Sequence, residues 1–240
     1  MATPAEIFAL TDFDELVRPL LGTKVSLPWK GYGSAIFLEL GELQPLRPRE
    51  RHRQGMACLS IEYDWRLERG DRIVCGSGNR RPLIATSLLD LQDAIVESVA
   101  LIGQVPELVV HFSSGHCLRS MAMEAMDPQW SIRVSAERYV GILDGLLVVG
   151  NVVEGMSDED IEESTRNDKA AERWGTPVAE PKGGSCEKCV WWVALNGDGS
   201  LLNYGLCRHS ESPFDGRVVN VQSGCPAFDQ DLDLATDATA

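Results

Sequence analysis

The chain has 240 residues, 44% of them hydrophobic, and carries a formal net charge of −14. That composition supports a sizeable core, while the acidic balance repels polyanions and excludes nucleic acid as an expected partner. No apolar run approaches the roughly 18 to 20 residues that span a bilayer, so no membrane partner is expected either.

The opening stretch, MATPAEIFALTDFDEL, lacks a basic start and an unbroken apolar core, so no secretory signal is expected and the protein is read as soluble and cytoplasmic. Phe13, Leu16, Val17 and Leu20, closed by Gly22, have the spacing of a short amphipathic helix with a C-terminal glycine. An extended apolar run follows at 34–41, and a strand bearing Trp65 at 63–67. The same order recurs further on. Leu91, Ala94, Ile95, Val99 and Leu101, closed by Gly103, predict a second helix; 107–113 predicts a strand and 128–132 another strand bearing tryptophan, Trp130. The run 142–149, with its Asp144-Gly145 turn signal, is expected to close the body at residue 153. The predicted fold class is therefore α+β: a β-rich body, residues 1–153, built on a duplicated helix-strand unit.

Within this body Cys58, Cys75 and Cys117 stand alone and are read as packed thiols. Arg47 to Arg53 is the basic cluster and is read first as a mobile hairpin loop and second as a contact for an acidic partner. Glu39 is expected on the outer face of an alternating strand, and His111 as a surface or packed strand residue. The pairing of His116 with Cys117 is rejected because adjacent strand residues face opposite ways. The glycine turns at 31–34 and 76–78 lack a P-loop lysine, and the histidines have no HExxH spacing, so no catalytic residue is assigned.

Residues 154–181 read as an acidic linker with one helix, beginning near Ser157 and carrying a weak stripe of Ile161, Ala170, Ala171 and Trp174. Residues 182–228 hold Cys186, Cys189, Cys207 and Cys225, with two residues in the first gap and seventeen in each of the others. A two-residue gap lets two thiolates bind one ion from a tight turn, and two later cysteines complete a four-cysteine shell, so these four are the candidate metal ligands of a small zinc-ribbon-like module. Gly205 and Gly224 are read as permissive backbone beside the later cysteines. Strands are expected at 190–195 and 218–221. Trp191, Trp192, Tyr204, Phe214 and Phe228 are read as wrapping the site or docking the module, or else as a partner-binding patch. His209 is read as solvent-facing rather than as a substitute ligand. Residues 229–240 read as a disordered acidic tail.

The run 205–219, ending at Ser223-Gly224-Cys225, resembles the C-terminal cysteine segment of an uncharacterised actinobacterial family, domain of unknown function 3027. In that family a CxxC precedes a cysteine with a Ser-Pro-x-Asp-Gly-Arg-Val-Val turn and a Gly-Cys. The looser frame is also similar to small bacterial modules, some of which hold a [4Fe-4S] cluster, as in the small subunits of benzylsuccinate synthase. The body resembles a second uncharacterised bacterial family. None of these resemblances implies a catalytic residue.

Four thiolates suit Zn2+ and iron–sulfur clusters alike, and the even gaps favour structural zinc. Disulfide pairing is the reading left for an oxidising compartment. The expected function is that of a non-enzymatic bacterial metal-binding protein whose zinc module stabilises or presents a surface for an unknown protein partner. The alternative is a [4Fe-4S] redox or sensor protein.

Overall fold

The computed structural model describes residues 6–31, 33–46, 52–62, 64–123, 129–135, 138–143, 145–150, 158–174, 184–195 and 199–230. Among the described residues the chain is β-rich, with three sheets and few helices, and it divides into two compact units, Met1–Val153 and Glu154–Ala240.

The first unit begins with β1 (Glu6–Phe8), α1 (Phe13–Val17), β2 (Val25–Lys30), β3 (Ile36–Leu40), β4 (Ala57–Ile61), β5 (Trp65–Arg69) and β6 (Arg72–Gly76). It continues with α2 (Arg81–Leu89), β7 (Val96–Ile102), β8 (Glu107–Phe112), β9 (His116–Ser120), β10 (Trp130–Ser135), β11 (Arg138–Leu143) and β12 (Leu146–Gly150). These strands form two sheets with antiparallel pairing, ordered β1-β12-β11-β10-β4-β3-β2 and β6-β5-β9-β8-β7. Each sheet thus joins a three-stranded meander to strands from elsewhere in the chain. At one join Ile61, Leu59 and Cys58 face Trp130, Ile132 and Arg133. At the other Ser120, Leu118 and Cys117 face Trp65, Leu67 and Glu68.

One apolar core draws on both sheets and both helices, with Ile36, Leu38, Leu59, Leu67, Val110, Leu118 and Ile132 from the strands and Phe13, Ile84 and Leu88 from the helices. The two tryptophans are buried and their indole N–H groups are satisfied, Trp65 donating to Ser34 O (2.8 Å) and Trp130 to Pro106 O (3.2 Å). Strand β2 lies at a sheet edge, where Pro28, which lacks an N–H, is tolerated.

The helix predicted over 91–101 is not formed: residues 96–102 are strand β7. A register shift between Val96 and Ser98 interrupts the two-residue alternation, so buried Val96 and Val99 are three apart and imitate a helical period. The helix preceding this strand is α2, with Pro82 in its first turn. Glu39 also departs from expectation. It is buried, accepting from Gly55 N–H (2.8 Å) and from Arg133 Nη2 (2.9 Å). Most of the basic loop lies outside the described residues. Arg53 at its end donates to Leu43 O (3.0 Å) and Gln44 O (3.2 Å), and His52 stacks on Trp29.

The second unit contains α3 (Asp158–Trp174) and a three-stranded sheet of β13 (Trp192–Ala194), β14 (Tyr204–Cys207) and β15 (Val218–Asn220), in that order. The helix read as part of a linker is docked here. Ala171 is buried, its carbonyl accepts from Tyr204 Oη (3.1 Å), and Trp174 meets the Tyr204 ring edge to face. Ser200 hydrogen-bonds Asp168 from the 3-10 turn before β14. The expected N-cap, Ser157, lies outside the described residues. Among the described residues no helix is long and apolar enough to cross a membrane.

Candidate metal centre

The first pair of cysteines sits on a 3-10 turn, Cys186–Lys188, closed by Cys189 N–H to Cys186 O (3.0 Å). That turn is anchored to the chain just before Cys225. Cys186 N–H donates to Ser223 O (2.6 Å) and Glu187 N–H to Val221 O (3.1 Å). Cys189 bridges Gln230, and Val190 N–H donates to Asp229 O (3.0 Å). The module therefore extends through Gln230, past the expected boundary at 228; the remainder of the expected tail lies outside the described residues.

Cys207 ends the central strand opposite Trp192. Its N–H donates to Arg217 O and its carbonyl accepts from Gly216 N–H, both at 3.0 Å, closing the loop 208–217 back onto the cysteine. Gly216 has a φ of 66°, a conformation costly for residues with a Cβ. Gly205 has a different role from the one expected of it: the Trp192 indole lies over it, and an added Cβ would come within 2.2 Å of the ring. The glycine makes room for the aromatic cover of the site.

All seven cysteines are free and buried. Cys186, Cys189 and Cys207 share one small apolar cluster with Trp192, Val219 and Val221, flanked by Phe214 and Phe228. Burial pushes the Cys186 thiol up to about 12, and the negative charges of Cys225, Cys189 and Cys207 add to the rise. The other three sulfurs are thus within electrostatic reach of Cys186. Among the described residues, however, no group of three or more His, Cys, Asp or Glu side chains is arranged to hold a metal ion. The sulfurs are gathered in one region without forming a closed shell. Their chemistry, four soft donors in an apolar setting, fits Zn2+ or an iron–sulfur cluster. Cys225 Sγ lies 3.3 Å from Ser212 Oγ.

The aromatic residues divide by role. Trp192, Phe214 and Phe228 cover the cysteine cluster, Tyr204 meets α3, and Trp191 is 40% exposed. His209 packs edge to face on Trp191, and its Nδ1 accepts from Glu211 N–H (3.1 Å).

In the first unit, the structure pairs Cys117 with a histidine that sequence reasoning passed over: Cys117 Sγ lies 3.9 Å from His111 Nε2, across the β8–β9 hairpin. The turn between these strands, with Gly115 N–H donating to Phe112 O (2.9 Å), brings the two together. Burial, followed by the charge of Glu68, raises the Cys117 thiol against an opposing pull from Arg119, so the sulfur is held protonated, contrary to the need of a nucleophile. Cys58 is raised by burial and by Glu39, and Cys75 by burial. A cleft of about 480 Å³ in this unit is lined by Asp12, Glu15 and Arg138 among apolar residues.

Residues 150–231 match the family model described as Protein of unknown function (DUF3027). The match takes in α3 as well as the cysteine-bearing sheet, a longer span than the motif resemblance at 186–228. No curated protein and no solved structure matches the chain.

Proposed function

We propose that the protein is a non-enzymatic cytoplasmic metal-binding protein in which Cys186, Cys189, Cys207 and Cys225 hold one Zn2+, forming a zinc-ribbon-like module that stabilises or presents a surface for a protein partner. The observation that carries this reading is the burial of four unpaired thiols in one small unit, close enough for three of them to perturb the fourth. Deprotonated as ligands, the four would be anions in an apolar setting, and a bound cation would offset that charge.

Half of the buried residues in the apolar cluster are cysteines, leaving Trp192, Val219 and Val221 to supply conventional burial. Ion binding would add the stabilisation that so small a core lacks, with the thiol protons released to solvent. A closed shell of four thiolates leaves no open coordination position, which favours a structural role over a catalytic one. Partner binding is supported by exposed Trp191, Val193 and Leu206, the last two paired across β13 and β14.

The first unit is proposed to derive from a duplicated β unit, although its second helix differs from the expected one. Three correspondences support this reading. Register shifts occur near the start of both β2 and β7, Ser34 O and Pro106 O accept from equivalent tryptophans, and Cys58 and Cys117 occupy matching ladder positions.

The functional reading is tested by alkylating the full chain before and after treatment with a zinc chelator. Zinc ligation predicts a colourless protein that loses one zinc as the four C-terminal thiols become reactive together. Absorbance near about 400 nm, accompanied by iron and sulfide, would replace zinc with a [4Fe-4S] cluster. Unchanged thiol reactivity after complete metal removal would oppose ligation of either kind.

A further inference from the structure

A serine links the two later cysteines. Ser212 lies in the loop that Cys207 closes through its backbone, yet its hydroxyl oxygen is 3.3 Å from the sulfur of Cys225. Ser212 is buried, with 6% of its surface exposed, so water offers its side chain little competition. Its hydroxyl oxygen accepts from Phe214 N–H (3.0 Å), forming a local turn that fixes the side chain. Pro213 reinforces this arrangement by biasing the preceding residue towards extended backbone.

The hydrogen-bond direction then follows from chemistry. A thiolate sulfur has no proton to donate, so once Cys225 serves as a ligand the contact requires the Ser212 hydroxyl to donate. Accepting from Phe214 N–H does not engage the hydroxyl's own proton, so its O–H is free to point at the sulfur. Such a bond stabilises negative charge on the ligand and restricts the direction from which it can approach an ion.

We propose that Ser212 is a positioning residue for Cys225, donating a hydrogen bond to its thiolate and tying the Cys207 loop to that ligand. This inference rests on the four-thiolate reading and adds a residue that cysteine spacing alone does not reveal. It also gives the serine of the Ser-Pro-x-Asp-Gly-Arg turn a chemical role distinct from the turn itself.

The test uses the full chain, stripped of metal and reloaded with Co2+ for spectroscopy or Zn2+ for chelator competition. Wild type, Ser212→Ala and Ser212→Thr are compared, with Cys225→Ser as the ligand-loss reference. Ser212→Ala is expected to retain a four-thiolate cobalt spectrum with shifted bands and to bind zinc about 10- to 100-fold more weakly, the usual scale for losing a partner of a metal ligand. Ser212→Thr, which keeps the hydroxyl, is expected to restore both properties. Wild-type spectrum and affinity in Ser212→Ala would overturn the role of Ser212 while leaving the four-thiolate reading intact. If Ser212→Ala fails to fold, Ser212→Thr decides: retention of the wild-type spectrum and affinity supports hydroxyl donation, and their loss overturns it. Absence of thiolate bands in wild type would overturn both readings.

Discussion

The two units bury cysteines in different surroundings. In the first, Cys58, Cys75 and Cys117 are dispersed, and burial raises each thiol with help from nearby acidic groups, Glu39 at Cys58, Asp90 at Cys75 and Glu68 at Cys117. In the second, Cys186 is raised by burial and then by three other sulfurs. Burial is common to both groups of thiols; the groups that surround them differ. The cores differ in the same sense: the first draws apolar residues from two sheets and two helices, whereas cysteines make up half of the buried cluster in the second.

The largest expected difference comes from removing a ligand. Cys186→Ser or Cys225→Ser should unfold residues 182–228 and leave the first unit folded, as read by limited proteolysis with mass analysis of the fragments. Loss of protection across both units would contradict their independence, and unchanged resistance of the module would count against ligation. Arg133→Met should have the converse effect. It leaves Glu39, with only 6% of its side chain exposed, without its cation; breaking such a buried pair costs about 3–5 kcal/mol. Urea unfolding should show this loss in the first unit while bound metal is unchanged.

A smaller effect is expected from pH. Ser114 Oγ and His116 Nδ1 share a hydrogen bond, while Nε2 is buried without a hydrogen-bond partner among the described residues, because Asp90 lies 4.0 Å away. Burial, with the positive charge of Arg69 second, lowers the His116 pKa against an opposing pull from Asp90. The unfolded state consequently takes up the proton first as pH falls. This contribution to stability is fully present above the ordinary histidine value of roughly 6.5 and is lost as pH drops from there through the lower folded value. Thermal melts of the first unit should record the loss, and His116→Gln should flatten it.

The smallest difference concerns the C-terminus. Deleting 229–240 should destabilise the module more than deleting 231–240, because Asp229 accepts from Val190 and Gln230 bridges Cys189. Equal melting temperatures for the two truncations would remove these contacts from the account.

Local patterns made much of the fold legible. The apolar runs containing Ile36 and Leu108, and the tryptophans at 65 and 130, marked strands because their side chains alternate or enter one shared core. Strand β7 was obscured by its bulge, and α2 lacked a clear apolar face despite the helix-start signal of Pro82. The proximity of His111 to Cys117, the burial of Glu39 against Arg133, and the contact of Ser212 with Cys225 depend on register or loop closure. The spacing of the cysteines was visible at once, but a partner thirteen residues from Cys225 was not.

Metal analysis of the full chain purified without oxygen, combined with counting its reactive thiols, tests the central claim most directly. The account predicts one zinc per chain, with Cys186, Cys189, Cys207 and Cys225 all protected until the ion is removed. Metal-free folded protein in which these four thiols react independently, or are joined as disulfides, would contradict it.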